Sequence, residues 1–188
     1  MPPSPLVLEC WFVCLAGMAA PLAAQSPAAL GPRVVTAHRI AGSPPRIDGR
    51  LDDPVWAQAE PVTDFVQSTP NPGALATLPS TARVLYDDDA LYVALRLSDP
   101  HPDSIVAPYP RRDDETTSDW TFVEVDSRLD HRTGFSFGVN PRGVQADGAW
   151  TDDVDYDGAW NAIWEAAAAI DSLGWTAEFR IPFSQLPL

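Results

Sequence analysis

Thr81-Ala82-Arg83-Val84-Leu85-Tyr86, then Asp87-Asp88-Asp89, then Ala90-Leu91-Tyr92-Val93-Ala94-Leu95-Arg96-Leu97: two apolar-rich arms flank three aspartates. In the second arm Leu91, Val93, Leu95 and Leu97 alternate with Tyr92, Ala94 and Arg96. Successive side chains of a strand point to opposite faces, so this period of two predicts a β-hairpin turning at the aspartates. The same alternation recurs downstream. Asp119 to Asp126 (DWTFVEVD) reads as a strand, and Thr133 to Asn140 places Phe135, Phe137 and Val139 inward. Pro141-Arg142-Gly143 turns the chain into a strand from Val144 to Trp150, and an acidic loop runs from Thr151 to Gly158. Trp175, Ala177, Phe179 and Ile181 alternate with Thr176, Glu178 and Arg180 until Pro182. Ile163 to Asp171 contains four alanines, which favour helix. Its flanking strands, and Trp164 in phase with Ile170, make it a strand. At least seven short strands joined by turns predict an all-β fold, an antiparallel β-sandwich of the jelly-roll or immunoglobulin-like kind.

Working outward, Asp53 can cap a short N-terminal helix that has Pro54 at its first position and turns Trp56 inward. Regular structure is expected to start at Val34. Residues 98–118, with Pro100, Pro102, Pro108 and Pro110, form a long polar connection, and such loops are often functional. At the N-terminus, Leu6 to Leu22 is apolar and is followed by the small residues Ala23 and Ala24. Interrupted by Pro21 and short for a full span, it reads as a signal peptide over residues 1–25 rather than a membrane anchor. A linker follows at 26–33, and the sandwich occupies 34–188. Both cysteines, Cys10 and Cys14, lie in the signal, so the exported domain uses no disulfide.

The 188 residues carry a formal charge of −14, with twelve arginines and no lysine. Such a surface repels phosphate backbones and disfavours nucleic-acid binding, while neutral sugars and divalent cations remain compatible. Among seven tryptophans, Trp56, Trp164 and Trp175 sit in phase with core positions. Trp120, Trp150 and Trp160 lie at strand ends or beside the acidic loop, where an indole face could stack on a sugar ring. Arg96 and Asn140 are further candidates for sugar contact. For Arg96, as for Glu178 and Arg180, cross-strand ion pairing is the commoner role, and for Asn140 a structural turn. Asp153, Asp155 and Asp157, followed by Gly158, place carboxylates at alternate positions and are candidates for Ca²⁺, although no EF-hand register exists. Asp87-Asp88-Asp89 is better read as a turn. Glycoside hydrolysis needs two facing acids. Asp119 falls on the opposite strand face from Glu124 and Asp126, and His38, His101 and His131 have no metal-ligand spacing. No nucleophile elbow or phosphate loop is present, so catalysis is not expected.

Taken in order, Ile47-Asp48-Gly49-x-Leu51-Asp52-Asp53-x-Val55-Trp56, Ala82-Arg83-Val84-Leu85-Tyr86-Asp87 and Leu91-Tyr92-Val93 resemble the family 9 carbohydrate-binding modules. Thr133-Gly134-Phe135, Val139-Asn140-x-x-Gly143 and Gly174-Trp175-Thr176-Ala177-Glu178-x-Arg180-Ile181-Pro182 extend the likeness. Gly143 to Gly148 and Ile181 to Leu186 resemble in particular the N-terminal domain of large bacterial outer-membrane proteins of unknown function. The resemblance implies a β-sandwich, non-catalytic sugar binding associated with polysaccharide breakdown, and calcium in some members. It also implies a periplasmic, outer-membrane or secreted location, with a membrane barrel as a C-terminal partner in full-length relatives. In the xylanase-attached members two tryptophans clamp the sugar. The first position falls near Thr116, the second beyond Leu188, and an arginine that holds the sugar corresponds to Gly138. The chain is therefore expected to be truncated within the sandwich. The rival to glycan binding is a structural periplasmic-side domain that kept the fold and lost the sugar site.

Overall fold

The computed structural model describes residues 35–186 except 115 and 153; the predicted signal peptide and linker lie outside them. Nine strands form two sheets among the described residues. β1 (His38–Arg39), β2 (Ser80–Tyr86), β3 (Ala90–Ser98), β9 (Gly174–Pro182) and β8 (Glu165–Asp171) lie side by side in that order. β4 (Thr121–Val125), β5 (Thr133–Val139), β6 (Gln145–Thr151) and β7 (Asp155–Asp157) make the second sheet. All neighbours are antiparallel except β1 and β2.

The β2–β3 hairpin turns where the aspartates predict. Asp87 Oδ1 accepts the Asp89 and Ala90 N–H groups, and Asp87 Oδ2 accepts the Tyr92 hydroxyl. Alternation then sets the interior. Val93 faces Phe179 and Leu95 faces Ala177 across β3 and β9, and both pairs meet Phe137 and Val139 of the opposite sheet. Leu91 and Phe135 join this core from partly buried positions. Trp164 is buried there, as expected, while Ile170 in the same phase is 37% exposed at the strand end.

Regular pairing among the described residues starts at His38, and Val34 lies outside them. Two expectations are corrected. The acidic run from Thr151 to Gly158 is not wholly loop: β7 pairs with β6 through Ala149 and Asp157, Trp150 and Tyr156, and Thr151 and Asp155. Tyr156 is what places it, because its ring lies over Gly148. The second concerns the cap of the expected short helix, which is a 3-10 segment at Pro54–Gln58. Asp53 does not cap this segment. Its Oδ2 accepts the Arg46 N–H instead.

That segment belongs to a strap that covers the outer face of the five-stranded sheet. Val55, Trp56 and Ala59 bury Leu85, Tyr92 and Ala94, with Ile40, Ile47 and Leu51 at the margin. Glu178 pins the strap. Fully buried, it accepts the Asp48 and Gly49 N–H groups at 3.0 and 2.8 Å and the Trp56 indole N–H at 2.9 Å. It is therefore not part of a cross-strand ion pair. Thr176 Oγ1 donates to the Gly49 carbonyl at 2.6 Å. Gly49 has φ +84°, and a Cβ there would sit 2.8 Å from the Ala168 carbonyl carbon, so only glycine lets the strap approach β8. The Ile-Asp-Gly and Trp-Thr-Ala-Glu motifs are thus two halves of one joint.

Candidate functional site

With the strap on one side and the core on the other, the outer face of the four-stranded sheet is the face left to solvent among the described residues. Its middle is floored by Gly138 and Gly148. Phe122 from the β4 edge lies over Gly138, and Tyr156 from β7 lies over Gly148, so rings from both edge strands shelter bare backbone. Towards one end the cover opens into a cleft of about 550 Å³ lined by Glu124, Val125, Asp126, His131, Thr133, Gly134 and Trp150.

Register builds this cleft. Trp150 sits directly opposite Gly134 on β5, and Glu124 opposite Ser136. A Cβ at Gly134 would meet nothing closer than the Val125 carbonyl at 3.7 Å, so the floor beside the indole is open. The Trp150 ring packs against Tyr156 at 4.8 Å, and its Nε1 is buried with no acceptor among the described residues. Asp126 is committed to the turn below: its carboxylate accepts the N–H groups of Arg128, Asp130 and His131. Those bonds, that from His131 foremost, hold its pKa below the ordinary carboxylate value. Asp130 in turn accepts from Arg132 and Thr133. Glu124 is exposed and carries no hydrogen bond or ion pair among the described residues. The cleft therefore offers an indole surface, a flat backbone floor and one unengaged carboxylate.

Of the residues the sequence singles out for sugar contact, only Trp150 lies in this cleft. Trp120 is half-buried near the other end of β4. It stacks on Phe122 at 5.9 Å, and its indole N–H donates to the Thr116 carbonyl at 3.4 Å. A small recess of about 170 Å³ joins it to Trp175, Leu97 and Ile105. Trp160 packs into the interior on Phe135 and Phe137, at 4.9 and 5.9 Å. Arg96 lies on the strap side of the molecule, ion-paired with Asp171 at 2.6 Å, and cannot share a ring with Trp150. Asn140 is fully buried. Its Oδ1 accepts the Arg142 and Val144 N–H groups and its Nδ2 donates to the Pro108 carbonyl, so its amide is spent on the turn. Asp155 and Asp157 alternate with Tyr156 on β7, and Asp157 accepts the Ala159 N–H. Asp153 lies outside the described residues. No group of three or more His, Cys, Asp or Glu that could hold a metal ion occurs among them.

Sequence reasoning passed over Gly134, Thr133 and His131. The signal that could have found them is register: once β5 and β6 form a hairpin about Pro141–Gly143, Gly134 must face Trp150.

The profile of the family described as "Carbohydrate family 9 binding domain-like" matches residues 47–188. A family 9 carbohydrate-binding module from Caldicellulosiruptor kristjanssonii in complex with glucose superposes with a TM-score of 0.54 at 20% identity, covering 81% of this chain and 72% of that one. Its complex with cellotriose gives a TM-score of 0.55 at 20% identity, covering 81% and 70%. A protein from Bacteroides uniformis gives 0.59 at 12% identity, covering 79% and 72%. At these identities the likeness speaks for the fold. No match is found among curated proteins.

Proposed function

Because the chain belongs to the carbohydrate family 9 binding domain-like family, we propose that it is a non-catalytic glycan-binding domain whose ligand lies in the Trp150 cleft. The observation that carries this is the indole of Trp150 standing beside the bare floor of Gly134 on an open sheet face. A pyranose ring presents C–H groups that pack on an aromatic face, with hydroxyls left over for polar neighbours. Glu124 and Thr133 supply such neighbours. Solved relatives holding glucose and cellotriose support the ligand class. One unengaged carboxylate fits binding better than hydrolysis, which uses two. In the same proposal the domain is exported, to the periplasm or cell surface, and serves polysaccharide breakdown ahead of a membrane barrel.

A second reading has two observations in its favour. Phe122 fills the space above Gly138, the position that corresponds to the sugar-holding arginine of the xylanase-attached modules, and no aromatic stands at Thr116. A domain that kept the sandwich as a periplasmic spacer would look the same there. Titration calorimetry with soluble cello-, xylo- and chito-oligosaccharides separates the two. Trp150→Ala is expected to weaken binding about thirtyfold, the loss typical of a central aromatic anchor, in a variant whose circular dichroism spectrum shows the sandwich intact. Equal binding by the variant refutes the cleft as the site. Failure of the wild type to bind any of the oligosaccharides leaves the spacer reading.

A further inference from the structure

We propose that the Trp150 cleft selects glycan units carrying a protonated amine, with Glu124 as the residue that reads the charge; this rests on the glycan reading above. The charges around the cleft are uneven. Glu124 and Asp126 line it, and the cation nearest in sequence beyond His131, Arg132, is paired with Asp152. Arg128, in the turn below, interacts electrostatically with Asp130. The chain has no lysine and a formal charge of −14, so the long-range field around those carboxylates is negative on balance. A uronic acid would meet this field as a like charge, and a neutral sugar would gain nothing from it.

Two features favour a cation independently. The Glu124 carboxylate is exposed and unengaged, whereas that of Asp126 is consumed by the 128–131 turn, so Glu124 is the group available for a charge-assisted hydrogen bond. The Trp150 indole lines the same cleft, and an indole π face attracts an ammonium group as well as sugar C–H groups. An amino sugar offers both at once, with its ring for the indole and its ammonium for the carboxylate.

Calorimetry at pH 6 with β-linked trimers of glucosamine, N-acetylglucosamine, glucose and galacturonic acid tests this. The glucosamine trimer is expected to bind about tenfold tighter than its acetylated counterpart, and Glu124→Gln to bring the two to equal affinity. Asp103→Asn, which removes the same charge away from the cleft, is expected to change nothing. Equal affinity for glucosamine and N-acetylglucosamine trimers overturns the proposal while the glycan reading stands. Equal loss in Glu124→Gln and Asp103→Asn also overturns it, by showing a diffuse effect of net charge. If no trimer binds, both readings fall together.

Discussion

Replacing Arg112 with alanine is expected to destabilise the domain by about 4 kcal/mol, more than replacing its partner Asp147 does. The Asp147 carboxylate is wholly inaccessible, whereas the Arg112 side chain is 40% exposed. Arg112 donates to Asp147, to Gln145 at 3.1 Å and to the Ala162 carbonyl at 2.9 Å, tying the long 98–120 connection to β6. Without the guanidinium, a charge stays buried with the Ala162 N–H, at 2.6 Å, as its remaining donor. Without the carboxylate, the guanidinium can turn to water, and the principal loss is the buried Ala162 N–H; about 2–3 kcal/mol is expected. Urea denaturation of the two single variants and the double variant checks this. The double is expected to cost less than the sum, since both remove one interaction. Additive losses would show that the pair does not act as a unit. Asp147 stands inside the Gly143–Gly148 motif, so that motif's acid is structural.

The second large effect is expected at Glu178. Glu178→Gln keeps the shape but puts an NH₂ group where the strap presents N–H donors, and about 3 kcal/mol is expected from the donors left unpaired. The pH dependence follows from the same burial. Desolvation raises the Glu178 pKa above its ordinary value of 4.5, against the opposing bonds from Trp56, Gly49 and Asp48. The folded domain therefore holds this proton more tightly than the unfolded chain. The contribution to stability is fully present below pH 4.5 and is lost as pH rises through the folded-state pKa. Unfolding free energies measured from pH 4 to pH 7 are expected to fall more steeply for wild type than for Glu178→Gln. Parallel curves would mean that the carboxyl titrates alike in both states.

Glu178 also shows where the sequence stops being legible. Its alternation with Phe179 correctly assigns it to the face away from the core. Whether that face is wet depends on a segment 130 residues earlier, and no local pattern announces that a strap will cover it. Tyr92 and Ala94 share the same fate. The strands β2, β3, β5 and β9 were readable because each buries one face against the other sheet, which imposes a period of two. β7 was hidden because two of its three residues are aspartates, poor strand formers held in place here by Tyr156 on Gly148. For the site, composition pointed to tryptophans at strand ends, and one of them, Trp150, stands in the open cleft. Asn140 and Trp160 face inward, Asn140 because the 98–120 loop brings the Pro108 carbonyl against it and Trp160 because its ring packs on Phe135 and Phe137.

Backbone and indole NMR correlation spectra, recorded while cellotriose and, in parallel, a glucosamine trimer are added, address the cleft most directly. Shifts concentrated at the Trp150 indole N–H and the Gly134 and Glu124 amides are the predicted result. Shifts confined to the strap face around Gly49 and Arg96, or to the recess beside Trp120, would contradict it, as would spectra that neither sugar changes.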